Sequence, residues 1–95
     1  MKVGFEGEIW CWRGPAPYFF VTVPESGSSE LRRVTGIVSY GWGMIPVQAR
    51  IGATTWKTSL FPKDGGYVLP LKVRIRAAES LREGDVVAVQ LEVSV

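Results

Sequence analysis

Ninety-five residues and 10.5 kDa are enough for one hydrophobic core and exclude a second, so residues 1–95 read as a single domain. Histidine is absent and cysteine occurs once, which excludes His-based triads, His general bases, Cys-rich zinc sites and an internal disulfide. A formal net charge of +2 is too small to name a polyanionic partner, and no metal or cofactor is expected.

Residues 3–11 alternate with period two. Val3, Phe5, Ile9 and Cys11 fall on one face, Glu6, Glu8, Trp10 and Trp12 on the other, which predicts a half-buried strand. Two early carboxylates and no apolar run do not fit a signal peptide, and Tyr18-Phe19-Phe20-Val21 is far short of the roughly 20 apolar residues of a membrane helix. A cytoplasmic protein without a membrane partner is therefore expected, and a lone Cys11 agrees with a reducing compartment. Arg13–Pro17 reads as a turn. Tyr18–Val23 is a second strand, ended by Pro24.

Ser26, Ser28 or Ser29 can cap a helix near 28–35, with Leu31, Val34 and Val38 recurring at spacings of three and four; Ile37 and Val38 could equally open a strand. Tyr40-Gly41-Trp42-Gly43 reads as a loop. Ile45, Val47, Ala49 and Ile51 predict a strand, Gly52-Ala53 a turn, and Trp56, Thr58 and Leu60 another strand. Pro62–Gly66 holds the Asp64-Gly65 turn signal. Tyr67–Lys72 is a strand whose Pro70 suggests an edge or a bulge. Arg74–Leu81 predicts one or two helical turns, Gly84-Asp85 breaks them, and Val87–Val95 alternates as the clearest strand.

These elements predict an all-β fold: a small six- or seven-stranded barrel, closed or partly open, with one or two short helices. Closing the sheet removes the edges that invite aggregation. Tyr18–Val23 followed by Ser29–Arg32 echoes Tyr67–Lys72 followed by Glu79–Arg82, the pattern of a repeated strand–strand–helix–strand unit.

Four stretches occur in order: Gly41-Trp42-Gly43-Met44-Ile45-Pro46-Val47, Ile51–Pro62, Gly66–Lys72 and Glu83-Gly84-Asp85-Val86-Val87. Together with Phe5-Glu6-Gly7 through Trp10 and Phe20–Pro24, they resemble a bacterial family of domains of unknown function, number nineteen hundred and five. The resemblance spans nearly the whole chain and implies a compact β-barrel with one or two short helices. Some members are joined to a YdeI- or OmpD-associated domain linked to bacteriocin protection, a partner not expected within these 95 residues. The resemblance carries no catalytic residue onto this sequence.

Chemistry is sparse. Between Arg50 and Arg76 there are six cations and one carboxylate, leaving five cations and eight carboxylates elsewhere, so the surface should be dipolar. Arg50, Lys57 and Lys72 share the polar parity of their strands. With Trp42, Trp56 and Ser59 they form the expected ligand-binding set: bases for charge, rings for stacking, a hydroxyl for a hydrogen bond. A solvated basic face is the plain alternative. Trp10 and Trp12 either line a groove or form a second small core under a helix. Gly84-Asp85 reads as turn chemistry, Glu6 and Glu8 as solvated charge, and Cys11 as inert packing.

The expected function is a non-catalytic binding module for a small anionic ligand or a protein partner, monomeric or homodimeric; nothing resembles a nucleic-acid motif, so no nucleic-acid partner is expected. Two alternatives stand beside it. One is a hydrolase using Ser59 with Lys57 as base, which needs a desolvated lysine. The other is a structural docking domain whose exposed aromatics are buried in a homodimer.

Overall fold

A computed structural model describes residues 1–38 and 43–93, the side chains of residues 34–38 excepted. The chain runs β1 (Lys2–Trp12), β2 (Tyr18–Thr22), α1 (Glu25–Val38), β3 (Ile45–Ile51), β4 (Thr54–Lys63), β5 (Gly66–Leu71), α2 (Val73–Ala78) and β6 (Val86–Glu92). The six strands close into an antiparallel barrel in the order β1-β2-β5-β4-β3-β6.

Period-two alternation decides what lies inside. Val3 and Ile9 of β1, Val21 of β2, Val47, Ala49 and Ile51 of β3, and Trp56 and Leu60 of β4 point inward. Ile45 of β3, Tyr67, Leu69 and Leu71 of β5 and Val87, Val89 and Leu91 of β6 lie in the same interior. Leu31 of α1 and Ile75 of α2 join the same core. Each fully buried aliphatic side chain contributes about 1.5–3 kcal/mol against exposure, which offsets the entropy of ordering a small chain.

The connections follow local chemistry. Asp64 and Gly65 take φ of 51° and 81°, so β4 and β5 meet in a two-residue turn with both central residues left-handed. That turn is tighter than the five-residue one expected from Pro62–Gly66, and β4 runs through Pro62 to Lys63. The first helix starts earlier than the serines suggest: the Ser28 N–H donates to the Pro24 carbonyl at 2.9 Å. The buried Ser28 hydroxyl turns instead to the Val23 carbonyl, 3.3 Å away. Small residues let α1 approach closely, since a Cβ on Gly27 would meet Val23 at 2.9 Å and Val3 at 3.1 Å.

Pro70 does not mark an edge; β5 lies between β2 and β4. The Val23 N–H donates to the Tyr67 carbonyl at 2.9 Å, which sets the phase of the β2–β5 ladder. In that phase Pro70, opposite Phe20, directs its nitrogen away from β2 and toward β4. The β4–β5 register ends at Phe61↔Val68, two residues short of it, so the missing N–H costs no bond of that ladder.

The order of elements repeats as strand–strand–helix–strand, and exchanging β1, β2, β3 with β4, β5, β6 leaves the barrel order unchanged. The registers obey the same two-fold: Trp10↔Phe20 maps onto Phe61↔Val68, and Val3↔Leu91 maps onto Thr54↔Ile51. Aligning Tyr18 with Tyr67, as the sequence echo does, would carry inward Val21 onto outward Pro70; the register carries Val21 onto Leu69 instead. The second half of the echo does not superimpose either, because Ser29–Arg32 lies within α1 whereas Glu79–Arg82 follows α2.

Candidate functional site: an aromatic groove on the outer face of the barrel

The residues left outside by the inward alternation of β1, β2, β5 and β4 are unusually apolar. Register places Trp10 beside Phe20, Trp12 beside Tyr18, Phe20 beside Pro70 and Phe61 beside Val68. The rings touch in a tilted series: Trp10–Phe20 at 5.0 Å, Trp12–Tyr18 at 6.2 Å and Tyr18–Phe20 at 6.4 Å between centroids. The Trp10 indole donates to Thr22 Oγ1 at 2.9 Å. Trp10 and Trp12 thus belong to a second apolar cluster contributed by strands, outside the barrel. Val68 shows its substance: it is 4% exposed although it faces outward and is not part of the barrel core.

Part of this face is open. Trp12 is 48% exposed, Tyr18 57% and Phe61 38%. Trp12 folds against the β1–β2 loop at Gly14, where an added Cβ would overlap its indole. Between these rings and the splayed part of β4 and β5 lies a groove of about 1160 Å³. Its lining includes Lys57, Thr58 and Ser59 of β4, Pro70 and Leu71 of β5, and Lys72, Val73 and Arg76 at and within α2.

Four cations line the groove, Lys57, Lys63, Lys72 and Arg76, and no carboxylate is among its described lining. Lys63 pairs with Asp64 at 3.3 Å and lies 5.9 Å from the Trp10 ring. Lys57, Lys72 and Arg76 have no carboxylate partner among the described residues. Arg76 instead stacks on Phe19, its guanidinium carbon 3.8 Å from the ring centroid.

Of the side chains singled out by sequence, Lys57, Ser59 and Lys72 come together here. Arg50 lies elsewhere, in a smaller depression with Gln48, Thr55, Gln90 and Glu92, and its Nε donates to the Gly52 carbonyl at 3.0 Å. Trp56 points into the barrel and is 4% exposed. Trp42 lies outside the described residues. Lys57 is exposed, which gives it none of the desolvation that a lysine base beside Ser59 requires. The Asp85 carboxylate accepts from the Arg82 N–H at 2.9 Å, which is turn chemistry. Tyr18, Phe20, Phe61 and Arg76 were not singled out by sequence. The aromatics at alternate positions of Tyr18–Thr22, in phase with Trp10 and Trp12, were the available signal; nothing in the sequence marked Arg76.

Among the described residues, no group of three Cys, Asp or Glu could hold a metal ion, and no helix is long and apolar enough to cross a membrane. No curated protein matches the chain. Residues 5–91 match the family model described as Domain of unknown function (DUF1905), and the chain belongs to that family.

Proposed function

We propose that this member of the family is a non-catalytic binding module, and that its outer groove takes a small organic anion with an apolar body. One observation carries the reading: Lys57, Lys72 and Arg76, without carboxylate partners among the described residues, line the same groove as Phe20, Val68 and Pro70. Cations left uncompensated beside apolar surface favour a ligand that brings both an acid group and a hydrophobic part. The single cysteine suits work in the cytoplasm.

A thermal-shift panel of aryl and alkyl carboxylates, nucleotides and short oligonucleotides tests this. Ligand at about 100 times its Kd adds about 2.7 kcal/mol, a shift of several degrees for a domain of this size. A hit that weakens with salt supports the reading. A flat panel refutes it, and light scattering then asks whether a second copy covers Trp12, Tyr18 and Phe61.

A further inference from the structure

The geometry points to Arg76 as the acid-group seat of the groove, and to the ligand as a carboxylate on a flat or extended apolar body. This rests on the groove being a binding site, as proposed above. Three observations converge on Arg76. Its guanidinium carbon lies 3.8 Å from the ring centroid of Phe19, a half-buried residue packed against the barrel core, so the cation is held against that ring. Its Nε is buried and has no hydrogen-bond partner among the described residues. The residue lines the groove.

A buried N–H without an acceptor destabilises a folded protein, and such groups are rare enough to call for an explanation. Here Nε is shut off from solvent, and its burial fixes where the terminal nitrogens stand. With Nε shut off and Phe19 against the cation, the two terminal nitrogens remain, and they form a planar two-donor fork. A carboxylate offers two acceptors in the matching plane, and a lysine could not replace that fork. The seat is held rigidly: Ile75, the preceding residue, is fully buried, and the Arg76 N–H donates to the Lys72 carbonyl at 3.1 Å. Lys72 and Lys57, both exposed, add positive potential without fixing a geometry. From this seat the apolar body of the ligand extends along Pro70 and Phe20 toward Phe61 and Trp10.

Isothermal titration of the full chain with decanoate, decanamide and decyl phosphate tests the assignment. Arg76→Met, Arg76→Lys and the exposed-ring variant Trp12→Ser/Phe61→Ser are compared with the parent, each first shown by near-UV circular dichroism to be folded. Decanoate should bind the parent protein and lose about tenfold or more in both Arg76 variants, while decanamide shifts by less than about twofold. Decanoate binding that survives both Arg76 substitutions but falls in the ring variant overturns the seat and keeps the groove. Tighter binding of decyl phosphate than of decanoate overturns the choice of carboxylate. If none of the three binds at about 5 mM, the seat is refuted, and the wider anion panel decides the groove separately.

Discussion

Gly52→Ala probes how the β3–β4 turn positions the helix that carries Arg76. Gly52 has φ of 59°, and a Cβ there would lie 2.1 Å from Glu79 Oε1 and 2.9 Å from its carboxyl carbon. Glu79 caps the C-terminus of α2 and accepts from the Thr54 hydroxyl at 2.6 Å. The substitution therefore has two costs. Left-handed backbone costs a non-glycine residue about 1–2 kcal/mol. Displacing Glu79 from Thr54 adds about 1 kcal/mol, the lower part of the range for a charged acceptor because the pair is half-exposed. Together they come to about 2–3 kcal/mol, about 10–20 °C in Tm for a domain of this size. Gly65→Ala isolates the backbone cost, since Gly65 has φ of 81° and nothing within 4 Å of its added Cβ. Urea denaturation of Gly52→Ala, Glu79→Ala and the double variant closes the cycle. The expected coupling is about 1 kcal/mol, because without the carboxylate the methyl has room. Coupling within about 0.3 kcal/mol of zero refutes the claim that Gly52 is small to accommodate Glu79.

Trp12→Ser/Tyr18→Ser should leave the urea midpoint nearly unchanged, since both rings are about half exposed, while weakening the tryptophan-fluorescence response to groove ligands to the part that Trp10 carries. Leu60→Ala, in the barrel interior, should cost about 2.7–5 kcal/mol by the same denaturation assay; a smaller loss would mean the barrel refills the space. Lys57→Glu should preserve the fold, because the residue is exposed, and should weaken a carboxylate ligand more than its amide in titration.

The barrel was legible because its interior is written as alternation: Ile45, Val47, Ala49 and Ile51 face inward as spaced, and so do Val87, Val89 and Leu91. Pro70 misled as an edge signal because sequence does not show where a ladder ends; the proline sits beyond the last β4–β5 pair of an interior strand. The start of α1 was misplaced because three serines offered equivalent caps, while burial assigned Ser28 to the Val23 carbonyl. The site was half legible. Lys57 and Ser59 share a strand parity that survives folding, and Lys72, one residue past β5 at the N-cap of α2, still lines the groove. Arg50 has the same parity, but β3 carries it around the barrel to the side shared with β6, so parity alone grouped residues that curvature separates. Trp56, expected to supply a stacking ring, neighbours Lys57 in one strand, and adjacent residues of a strand face opposite ways, so its ring lies inside the barrel. Arg76 joins the site through the docking of α2, a tertiary event with no local signature.

The internal two-fold explains why the groove sits where it does and why its uncompensated cations come from one half of the chain. The axis passes between β2 and β5, so that face is where both halves of the chain contribute equivalent positions: Trp10 and Phe20 from the first, Phe61 and Val68 from the second. Equivalence holds for the apolar floor and fails for the charges. The correspondence that takes Trp10 to Phe61 takes Glu8 to Ser59 and Glu6 to Lys57. It also takes Trp12 and Tyr18 to Lys63 and Gly66. Where the second half presents Lys57, the first presents an acid; where the first presents two exposed rings, the second presents a lysine and a glycine. The two-fold thus holds for the strands that close the barrel and fails for the outward side chains. Barrel closure constrains the inward positions of both halves alike, whereas the outward ones are free to diverge. That divergence gives the groove a direction, with open aromatic surface at Trp12 and Tyr18 and uncompensated positive charge at Lys57, Lys72 and Arg76. For the amphipathic anion proposed above, this direction matches the acid group to the cations and the apolar body to the rings.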